Sequence, residues 1–316
     1  MKHLYSFILS AVAAGCIFGL TACGRSNADN SKTIAIVIPA ADHGWTAGVI
    51  SWAEKAKADI EKADPETKVI ISTAKSAQDQ VSAIETLMQQ SIGTMVLLPV
   101  ESEALTPVCT KAKTAGIKLV IVDRGLADPK LADLEVVGDN TGFGEASAKA
   151  IAETLKGKGL VVAMEGVPCQ TNTDRVEGFK KVMKDYPEIK VDFGRANWND
   201  EEGAKLMENK LMAYKQIDAV WAGDDDVLRG VLNAYKKSGR SDVKAMSGGG
   251  GSQYIIGLIK AKDPVVKFTI TYPPKMIYDA AMLVHQGKFS PRRVVIPAEK
   301  ITPENAGQFV FPGSKY

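Results

Sequence analysis

Charged side chains follow directly after apolar segments at several points in this sequence. Asp123 and Arg124 come immediately after the apolar run 118–122. A carboxylate beside a guanidinium places hydrogen-bond acceptors and forked donors at adjacent points, which suits vicinal hydroxyl groups on a rigid ring. The alternative is an ordinary loop aspartate beside a solvated arginine. Position favours a binding role, because residues that follow buried strands lie together at one edge of a sheet.

Arg175 and Asp224 are two further charged candidates. We expect Arg175 in the first turn of a helix, which is unusual for a cation because that end of a helix carries partial positive charge. It either contacts a ligand or pairs with Asp174 or Glu177. Asp224 opens a run of three carboxylates, and we expect it to face the ligand while the other two cap the next helix. The ligand spacing of a calcium loop is absent there.

Aromatic and polar side chains occupy comparable positions elsewhere. Asp42 and Trp45 follow the first apolar run, and Trp198 lies in a polar loop. Tryptophan rings offer flat apolar walls, and Asp42 offers acceptors for a hydroxyl group. The alternatives are that Asp42 caps a helix, Trp45 packs in the core and Trp198 covers a core. Tyr272 lies where the chain is expected to cross between two lobes.

A glycine-rich segment, 247–252, follows another apolar run. It either brings the backbone close to a ligand or serves as a flexible connection, and the sequence leaves both open. Neither the dinucleotide-binding glycine pattern nor the phosphate-binding loop pattern is present. No cluster of cysteine and histidine indicates a metal site. We therefore expect no cofactor.

Short apolar runs alternate with helical patterns along the chain, and these elements must position the side chains described above. The first runs are apolar throughout, which is typical of parallel strands covered on both faces by helices. Four strand-then-helix units predict a doubly wound domain, and the pattern continues beyond residue 139. Nine or ten strands exceed one core. The expected fold class is α/β, with two doubly wound parallel-sheet lobes joined by a hinge of three crossings.

The two expected lobes are discontinuous in sequence. Residues 33–138 and 273–296 form the N-terminal lobe, and residues 139–272 and 297–316 form the C-terminal lobe. Ligands of such sheets bind outside the carboxyl ends of the strands. The cleft between the lobes is therefore the expected binding site.

The N-terminal segment predicts export. Residues 1–22 have a weakly basic start, an apolar run and small residues before Cys23, the layout of a signal peptide. Residues 20–23 resemble a bacterial lipobox, so we expect lipidation at Cys23 and a tether over residues 23–32. A plain signal peptide with an incidental cysteine is the alternative. The expected location is periplasmic or at the cell surface, anchored to a membrane.

Composition excludes other classes of protein. The chain has 37 acidic and 39 basic residues, and this balance gives no electrostatic footprint for nucleic acid. No second apolar run reaches membrane-spanning length. Cys109 and Cys169 stay available in an oxidising compartment, but nothing in the sequence brings them together, so we expect no disulfide.

Taken in order, these segments resemble the bacterial periplasmic sugar-binding proteins of ABC importers, the ribose/galactose-type cluster, over essentially the whole mature chain. The segments that carry the resemblance are 33–37, 98–99 with Ser102, Val122-Asp-Arg124, Asp139-Asn-Thr-Gly142, Arg175-Val-Glu-Gly-Phe179, Ala222-Gly-Asp-Asp-Asp226 and Thr269-Ile-Thr-Tyr272. The resemblance implies a periplasmic binding protein fold of type I. It also implies a monomer that binds a small neutral sugar or polyol without chemistry and delivers it to a membrane permease and its ATPase.

The resemblance also assigns roles to individual residues. It implies that Asp123 and Arg124 grip ring hydroxyls from the first lobe and that Arg175 binds the ring oxygen or a hydroxyl from the second. Trp45 and Trp198 are similar to the aromatic residues that sandwich the sugar. Further along, Asp224 stands where a hydrogen-bonding asparagine is common, and Tyr272 stands at a hinge position where glutamine is common.

Two departures from the family pattern affect the identity of the ligand. The aspartate that often follows the strand near 243–246 is replaced by the glycine run, and residues 42–44 replace the asparagines and paired aromatics of ribose binders. We therefore expect another pentose, a hexose, a polyol or a furanose rather than ribose. Alternative functions are a ligand-binding partner of a chemoreceptor or histidine kinase, or a surface glycoside hydrolase in which Asp42 and Asp224 flank a glycosidic bond.

Overall fold

The computed structural model describes residues 32–311, 314 and 316. The expected signal peptide and Cys23 lie outside these residues. The strands are β1 (Thr33–Pro39), β2 (Lys68–Ala74), β3 (Thr94–Leu97), β4 (Lys118–Val122), β5 (Leu134–Gly138), β6 (Gly159–Glu165), β7 (Ile189–Arg195), β8 (Ala219–Trp221), β9 (Ala245–Ser247), β10 (Thr269–Ile270), β11 (Arg293–Ile296) and β12 (Lys300–Ile301). The helices are α1 (Gly44–Ala63), α2 (Ala77–Gln89), α3 (Ser102–Thr114), α4 (Asn140–Leu155), α5 (Gln170–Met183), α6 (Asp200–Ala213), α7 (Asp225–Ser238), α8 (Gln253–Lys260) and α9 (Met276–His285).

Six strands form the first sheet, in the order β11-β5-β4-β3-β1-β2, with all neighbouring strands parallel. Alternate residues of β1 enter different hydrophobic clusters, since Ile36 belongs to one and Val37 to another. Both faces of the sheet are therefore buried. This explains why β1, β3 and β4 are apolar after their first residues, and the prediction of a parallel α/β fold is confirmed.

Four parallel strands form the second sheet, in the order β7-β6-β8-β9. Its core contains Val162, Val220 and Met246. In the segment 265–271 only the two residues of β10 form a strand, and β10 pairs antiparallel with β12. Residues on either side of β10 make only isolated bridges to Met246 and Gly250, so the segment lies along the sheet edge without extending the sheet.

The chain crosses between the two sheets three times. It leaves the first sheet after β5 and enters α4, which packs against α5 of the second. It returns after β10 into α9, which packs against α1 and β4. It crosses again between β11, which pairs with β5, and β12, which pairs with β10. These crossings form the hinge, and we call the part around the first sheet the first lobe and the other part the second lobe.

Two findings bear on the other expectations. Within residues 32–311, no helix combines the length and apolarity that crossing a membrane requires. Cys109 is buried and Cys169 is partly exposed, and both are free thiols.

Candidate ligand-binding site

A cavity of about 350 Å³ lies between the lobes, at the carboxyl ends of strands from both sheets. We call it the interlobe cavity. The residues that line it are His43, Trp45, Asp123, Arg124, Thr171, Arg175, Trp198, Asp224, Gly249, Gly250 and Tyr272. Seven of the eight candidates from the sequence are among them, and Asp42 is not. The fold therefore brings together side chains that are far apart in the sequence, such as Trp45 and Tyr272, which are 227 positions apart and share a hydrogen bond.

Asp123 and Arg124 form the charged wall of the first lobe. Asp123 is buried and its φ is 63°, in the left-handed region that few non-glycine residues adopt. Its carboxylate accepts a hydrogen bond from the Tyr272 hydroxyl and lies 3.6 Å from the Arg124 Nε. Arg124 also donates from Nη1 to the Val100 carbonyl at 3.1 Å.

The Nε atom of Arg124 is buried and has no hydrogen-bond partner among the described residues. An orphaned buried donor of this kind needs an explanation, because such groups are nearly always paired in folded proteins. Arg124 lines the interlobe cavity. An oxygen-rich ligand beside Asp123 is the kind of partner that this donor lacks.

Arg175 reaches the cavity from the second lobe. Its Nε donates to the Asn140 side chain at 2.9 Å and its Nη1 donates to the Gly223 carbonyl at 3.1 Å. The guanidinium lies over the rings of Phe143 and Tyr272, 4.2 and 4.3 Å from their centroids. These contacts fix its orientation, so its remaining edge is preorganised to donate hydrogen bonds.

One expectation about Arg175 is wrong, and the alternative of an ion pair is not observed. α5 begins at Gln170, so Arg175 lies in the second turn of the helix rather than the first. Within the described part of the chain, Arg175 forms no ion pair with Asp174 or Glu177. Its side chain points into the protein instead, and the residue is only 5% exposed.

The two tryptophans differ in burial and in their contacts with the rest of the protein. Trp45 is buried, and its indole donates to the Tyr272 carbonyl at 2.9 Å. Trp198 is half-buried, with φ of 55°, and lies 5.8 Å from the Arg175 guanidinium. A Cβ atom on Gly166 would lie 2.1 Å from the Trp198 ring, so only glycine at that position admits the indole. Trp198 is therefore held beside the cavity by close contact between two loops.

The three carboxylates after β8 have different partners, and the expectation that Asp225 and Asp226 cap α7 is wrong. Asp224 is the N-cap, since its carboxylate accepts from the backbone N–H groups of Asp226 and Val227 at 2.7 and 3.1 Å. Asp225 accepts from the N–H groups of Gly251 and Ser252, at 3.0 and 2.6 Å. Asp226 accepts from the Gly44 N–H of the first lobe at 2.9 Å.

Asp224 combines its capping role with a place in the cavity wall. Burial, reinforced by the charge of Asp226, raises the pKa of Asp224 to about 7. One oxygen caps the helix, while the other has no hydrogen-bond partner among the described residues. The side chain can therefore accept a hydrogen bond from a ligand when ionised and donate one when protonated.

The glycine-rich segment is explained by packing. A Cβ atom on Gly249 would lie 1.9 Å from the Phe143 ring, and one on Gly250 would lie 2.0 Å from the Tyr316 hydroxyl. Gly250 also has φ of 122°, which side chains rarely tolerate. The segment is therefore held against two aromatic rings rather than being a flexible connection, and Gly249 and Gly250 line the cavity.

Asp42 lies at the surface, where its side chain contacts neighbouring residues and does not line the cavity. Its carboxylate lies 2.5 Å from the His43 Nδ1 and accepts from the Thr46 hydroxyl at 2.8 Å. The hydrogen bond from His43 is the main cause that lowers the pKa of Asp42 to about 2. The turn before α1 directs His43 inward and leaves Asp42 largely exposed.

His43 and Thr171 line the cavity and were not among the sequence candidates. Burial disfavours the imidazolium, but the hydrogen bond to Asp42 and the charges of Asp224 and Asp226 outweigh it, so the pKa of His43 is raised. The only sequence signal for His43 is its place in the first strand-end loop. Thr171 opens α5 two residues after Cys169 and carries no distinguishing signal.

Comparison with known proteins gives one family. A model of the periplasmic binding protein domain matches residues 34–287. A xylitol-binding protein of Mycolicibacterium smegmatis is 32% identical over 246 residues, which cover 76% of this chain and 69% of that protein. A ribose import binding protein of Bacillus subtilis is 30% identical over 290 residues, covering 88% of this chain and 90% of that protein.

Solved structures agree on the fold. A solute-binding protein of an ABC transporter from Bacillus halodurans, with bound myo-inositol, superposes with a TM-score of 0.79 at 22% identity. The match covers 90% of this chain and 98% of that one. At that identity the likeness concerns the fold alone.

Proposed function

This chain belongs to the periplasmic binding protein family, and from that premise we propose that it captures a small sugar or polyol in the interlobe cavity for import by an ABC transporter. The observation that carries the proposal is the composition of that cavity. Two tryptophans, two guanidinium groups and two carboxylates converge there from different lobes. Aromatic faces pack against the C–H groups of a sugar ring, while the charged groups match its hydroxyls.

The cavity favours a small ligand. Its empty space of about 350 Å³ includes the opening to solvent, so this figure is an upper limit on the room for a ligand. A single sugar ring or a short polyol suits that space. Relatives are named for xylitol, ribose and D-apiose, which are all neutral polyhydroxylated compounds.

The cavity wall offers both donors and acceptors of hydrogen bonds, which supports a neutral ligand. Asp123 and Asp224 are its acidic residues, and Arg124, Arg175 and His43 are its basic residues. A neutral polyol satisfies both donors and acceptors at once. Each hydrogen bond to a charged group contributes roughly 1.5–3 kcal/mol. A few such bonds reach the scale of micromolar affinity, about −8 kcal/mol.

The mechanism is capture by closure, without covalent chemistry. Asp123, Arg124 and Trp45 belong to the first lobe, whereas Arg175 and Trp198 belong to the second. A ligand that contacts both sets binds the closed arrangement more tightly than the open one and shifts the population towards it. The closed protein is then the form that the permease receives.

The proposal includes a periplasmic or cell-surface location with a lipid anchor at Cys23. The family supports the periplasmic part, and the lipobox-like segment 20–23 supports the anchor. The anchor would hold the protein close to its permease at the membrane.

A thermal-shift screen tests the proposal. Mature protein is heated with xylitol, D-ribose, D-xylose, D-apiose, hexoses or myo-inositol, each at millimolar concentration. We expect at least one to raise the melting temperature, because a ligand that binds only the folded state stabilises it. Isothermal titration of that compound should then give a stoichiometry of one. If none of these compounds shifts melting and the protein instead hydrolyses aryl glycosides, the binding proposal is wrong.

A matched pair of variants connects the binding to the cavity. Arg175→Lys keeps a positive charge but loses the planar fork that the site orients, so we expect the affinity for the identified compound to fall at least tenfold. Arg292→Lys, at an exposed position outside the cavity where the arginine donates to the Lys130 carbonyl, is the control and should leave the affinity unchanged. Equal affinities in both variants would remove Arg175 from the site.

A further inference from the structure

One hydrogen bond joins the two lobes beside the interlobe cavity without contributing to its lining. The Asp226 carboxylate of the second lobe accepts from the Gly44 N–H of the first lobe at 2.9 Å. Asp226 is buried, with 5% of its surface exposed. Gly44 is the first residue of α1, and Asp226 lies in the first turn of α7. We call this hydrogen bond the Asp226–Gly44 latch.

The latch lies where two helix N-termini meet across the cleft. Each N-terminus carries partial positive charge, so the ends of α1 and α7 repel each other when the lobes close. A carboxylate between them satisfies a free N–H of α1 and neutralises both ends. Closure therefore places Asp226 in a more favourable environment than the open arrangement does.

Neighbouring charges hold Asp226 ready for this contact. The Arg229 guanidinium lies 3.5 Å from the Asp226 carboxylate and donates to Asp200 at 2.9 Å. These three residues belong to the second lobe and stay together whether or not the cleft is closed. On the facing side, His43 brings an imidazole whose pKa is raised partly by the charges of Asp224 and Asp226.

The lack of a side chain at Gly44 leaves room for the Asp226 carboxylate. A Cβ atom at position 44 would lie 2.6 Å from one oxygen of Asp226 and 2.8 Å from the other. Any side chain there would push the carboxylate away from the start of α1. Glycine at this position is thus a requirement of the contact between the lobes.

We propose that Asp226 is a positioning residue for closure: through its bond to Gly44 it stabilises the closed arrangement and sets how much of the ligand-free protein is closed. The proposal rests on the capture function above. Both partners belong to the protein, so the bond acts before the ligand arrives and also slows the opening that releases it. A preformed closed population raises the apparent affinity without any added contact to the ligand.

The test measures the distance between the lobes in ligand-free protein. Spin labels are placed at Ser82→Cys on α2 and Asn209→Cys on α6, two exposed positions on different lobes. Cys23 and Cys169 are changed to serine. Cys109 is kept, because it is buried and its pKa is raised to about 12. Double electron–electron resonance then reports the closed and open fractions.

Two variants break the latch from opposite lobes. Asp226→Ala removes the acceptor, and Gly44→Ala displaces the carboxylate while leaving every charge in place. We expect each to lower the closed-to-open ratio roughly tenfold, the effect of losing a hydrogen bond to a charged group. Asp226→Asn keeps an oxygen that accepts from Gly44 and should retain part of the closed population. Glu188→Gln, which removes an exposed carboxylate at the amino end of β7, away from the cleft, is the control and should match the wild type.

Each outcome decides the proposal. Identical distance distributions in the wild type, Asp226→Ala and Gly44→Ala would overturn it. So would an equal shift in Glu188→Gln, because the effect would then come from surface charge rather than from the bond. A fall in melting temperature without a change in the distributions would reduce Asp226 to a structural role. No ligand is present, so failure of the sugar-binding proposal would leave this result intact.

Discussion

Trp45 and Trp198 reach the interlobe cavity from different lobes, and they differ in how much of each ring is free to contact a ligand. Trp45 is 6% exposed and its indole nitrogen is used by the Tyr272 carbonyl, so most of its ring supports the hinge. Trp198 is half-buried in a loop and owes its place to the absence of a side chain at Gly166. The two tryptophans that the resemblance places on either side of the ligand thus differ in exposure, and Trp198 has more free surface for a ligand.

Trp198→Ala should therefore weaken binding of the compound found in the screen by at least about tenfold, since buried tryptophan contacts often dominate binding energy. The melting temperature of ligand-free protein should change little. Trp52→Ala is the matched control, because Trp52 is also half-buried but packs against Tyr278 and Phe311 outside the cavity. Titration calorimetry should show unchanged affinity in Trp52→Ala. Equal losses in the two variants would contradict the assigned role of Trp198.

The buried carboxylate of Asp224 predicts a dependence of stability on pH. Its pKa is raised from 3.8 to about 7 by burial and by the charge of Asp226. Between these values the folded protein holds a proton that the unfolded chain has released, so the free energy of unfolding falls as pH rises. Asp225, whose pKa burial raises to about 6, acts in the same direction, and so does His43. Ligand-free protein should be more stable at pH 5 than at pH 7.5.

Asp224→Asn should reduce the difference in the free energy of unfolding between pH 5 and pH 7.5 by on the order of 2 kcal/mol, because asparagine caps the helix without titrating. Urea unfolding at the two pH values measures this difference. Asp218→Asn is the control. Hydrogen bonds from Leu160 and Lys244 outweigh burial and lower the pKa of Asp218. The stability that Asp218 contributes is therefore lost only as pH falls below the usual aspartate range, so this variant should keep the difference between pH 5 and pH 7.5. An undiminished difference in Asp224→Asn would show that another group titrates in this window.

At the scale of elements, the sequence predicts strands and helices better than the direction of individual side chains. Strands such as β1 and β4 are buried on both faces, so their apolar runs mark them directly. The loops after the strands carry no such pattern. Asp42 and His43 are neighbours, and only the backbone path into α1 decides that the imidazole faces the cavity.

The acidic run after β8 shows the same limit. Residue types identify a cluster of carboxylates, but the partners of Asp225 and Asp226 come from the glycine segment and from the first lobe. Those partners are distant in the sequence, so neither composition nor residue spacing could predict them. The second-turn position of Arg175 was missed for a simpler reason, because helix boundaries are uncertain by a few residues in any sequence pattern.

Close contact between two loops gives a prediction at this scale. The loop after β6 contributes Gly166 and the loop after β7 contributes Trp198. Gly166→Ala places a methyl group within the space of the indole, so Trp198 must move and affinity should fall at least about tenfold although no ligand contact is deleted. Gly257→Ala on α8 is the control, because no atom lies within 4 Å of the added carbon. It should leave affinity unchanged and raise the melting temperature slightly, since alanine favours helix.

At the scale of the whole molecule, the three crossings allow the lobes to move while each sheet stays intact. Tyr272 lies on one crossing, and its hydroxyl contacts both Asp123 of the first lobe and Asn140 at the start of α4. The hinge is thus part of the cavity wall, so closure and the orientation of the charged groups are linked. A ligand that aligns these groups also favours the closed arrangement.

A lipid anchor would confine that opening and closing to the membrane surface. We expect the wild-type protein to partition with membranes and to carry diacylglycerol on Cys23, because the lipobox-like segment ends at that cysteine. Cys23→Ser should shift the protein to the soluble fraction without altering its affinity, because the tether expected over residues 23–32 separates that cysteine from the lobes. Fractionation and mass spectrometry of the N-terminal peptide measure both effects. Wild-type protein that is soluble, with an unmodified Cys23, would contradict the anchor and leave the binding proposal standing.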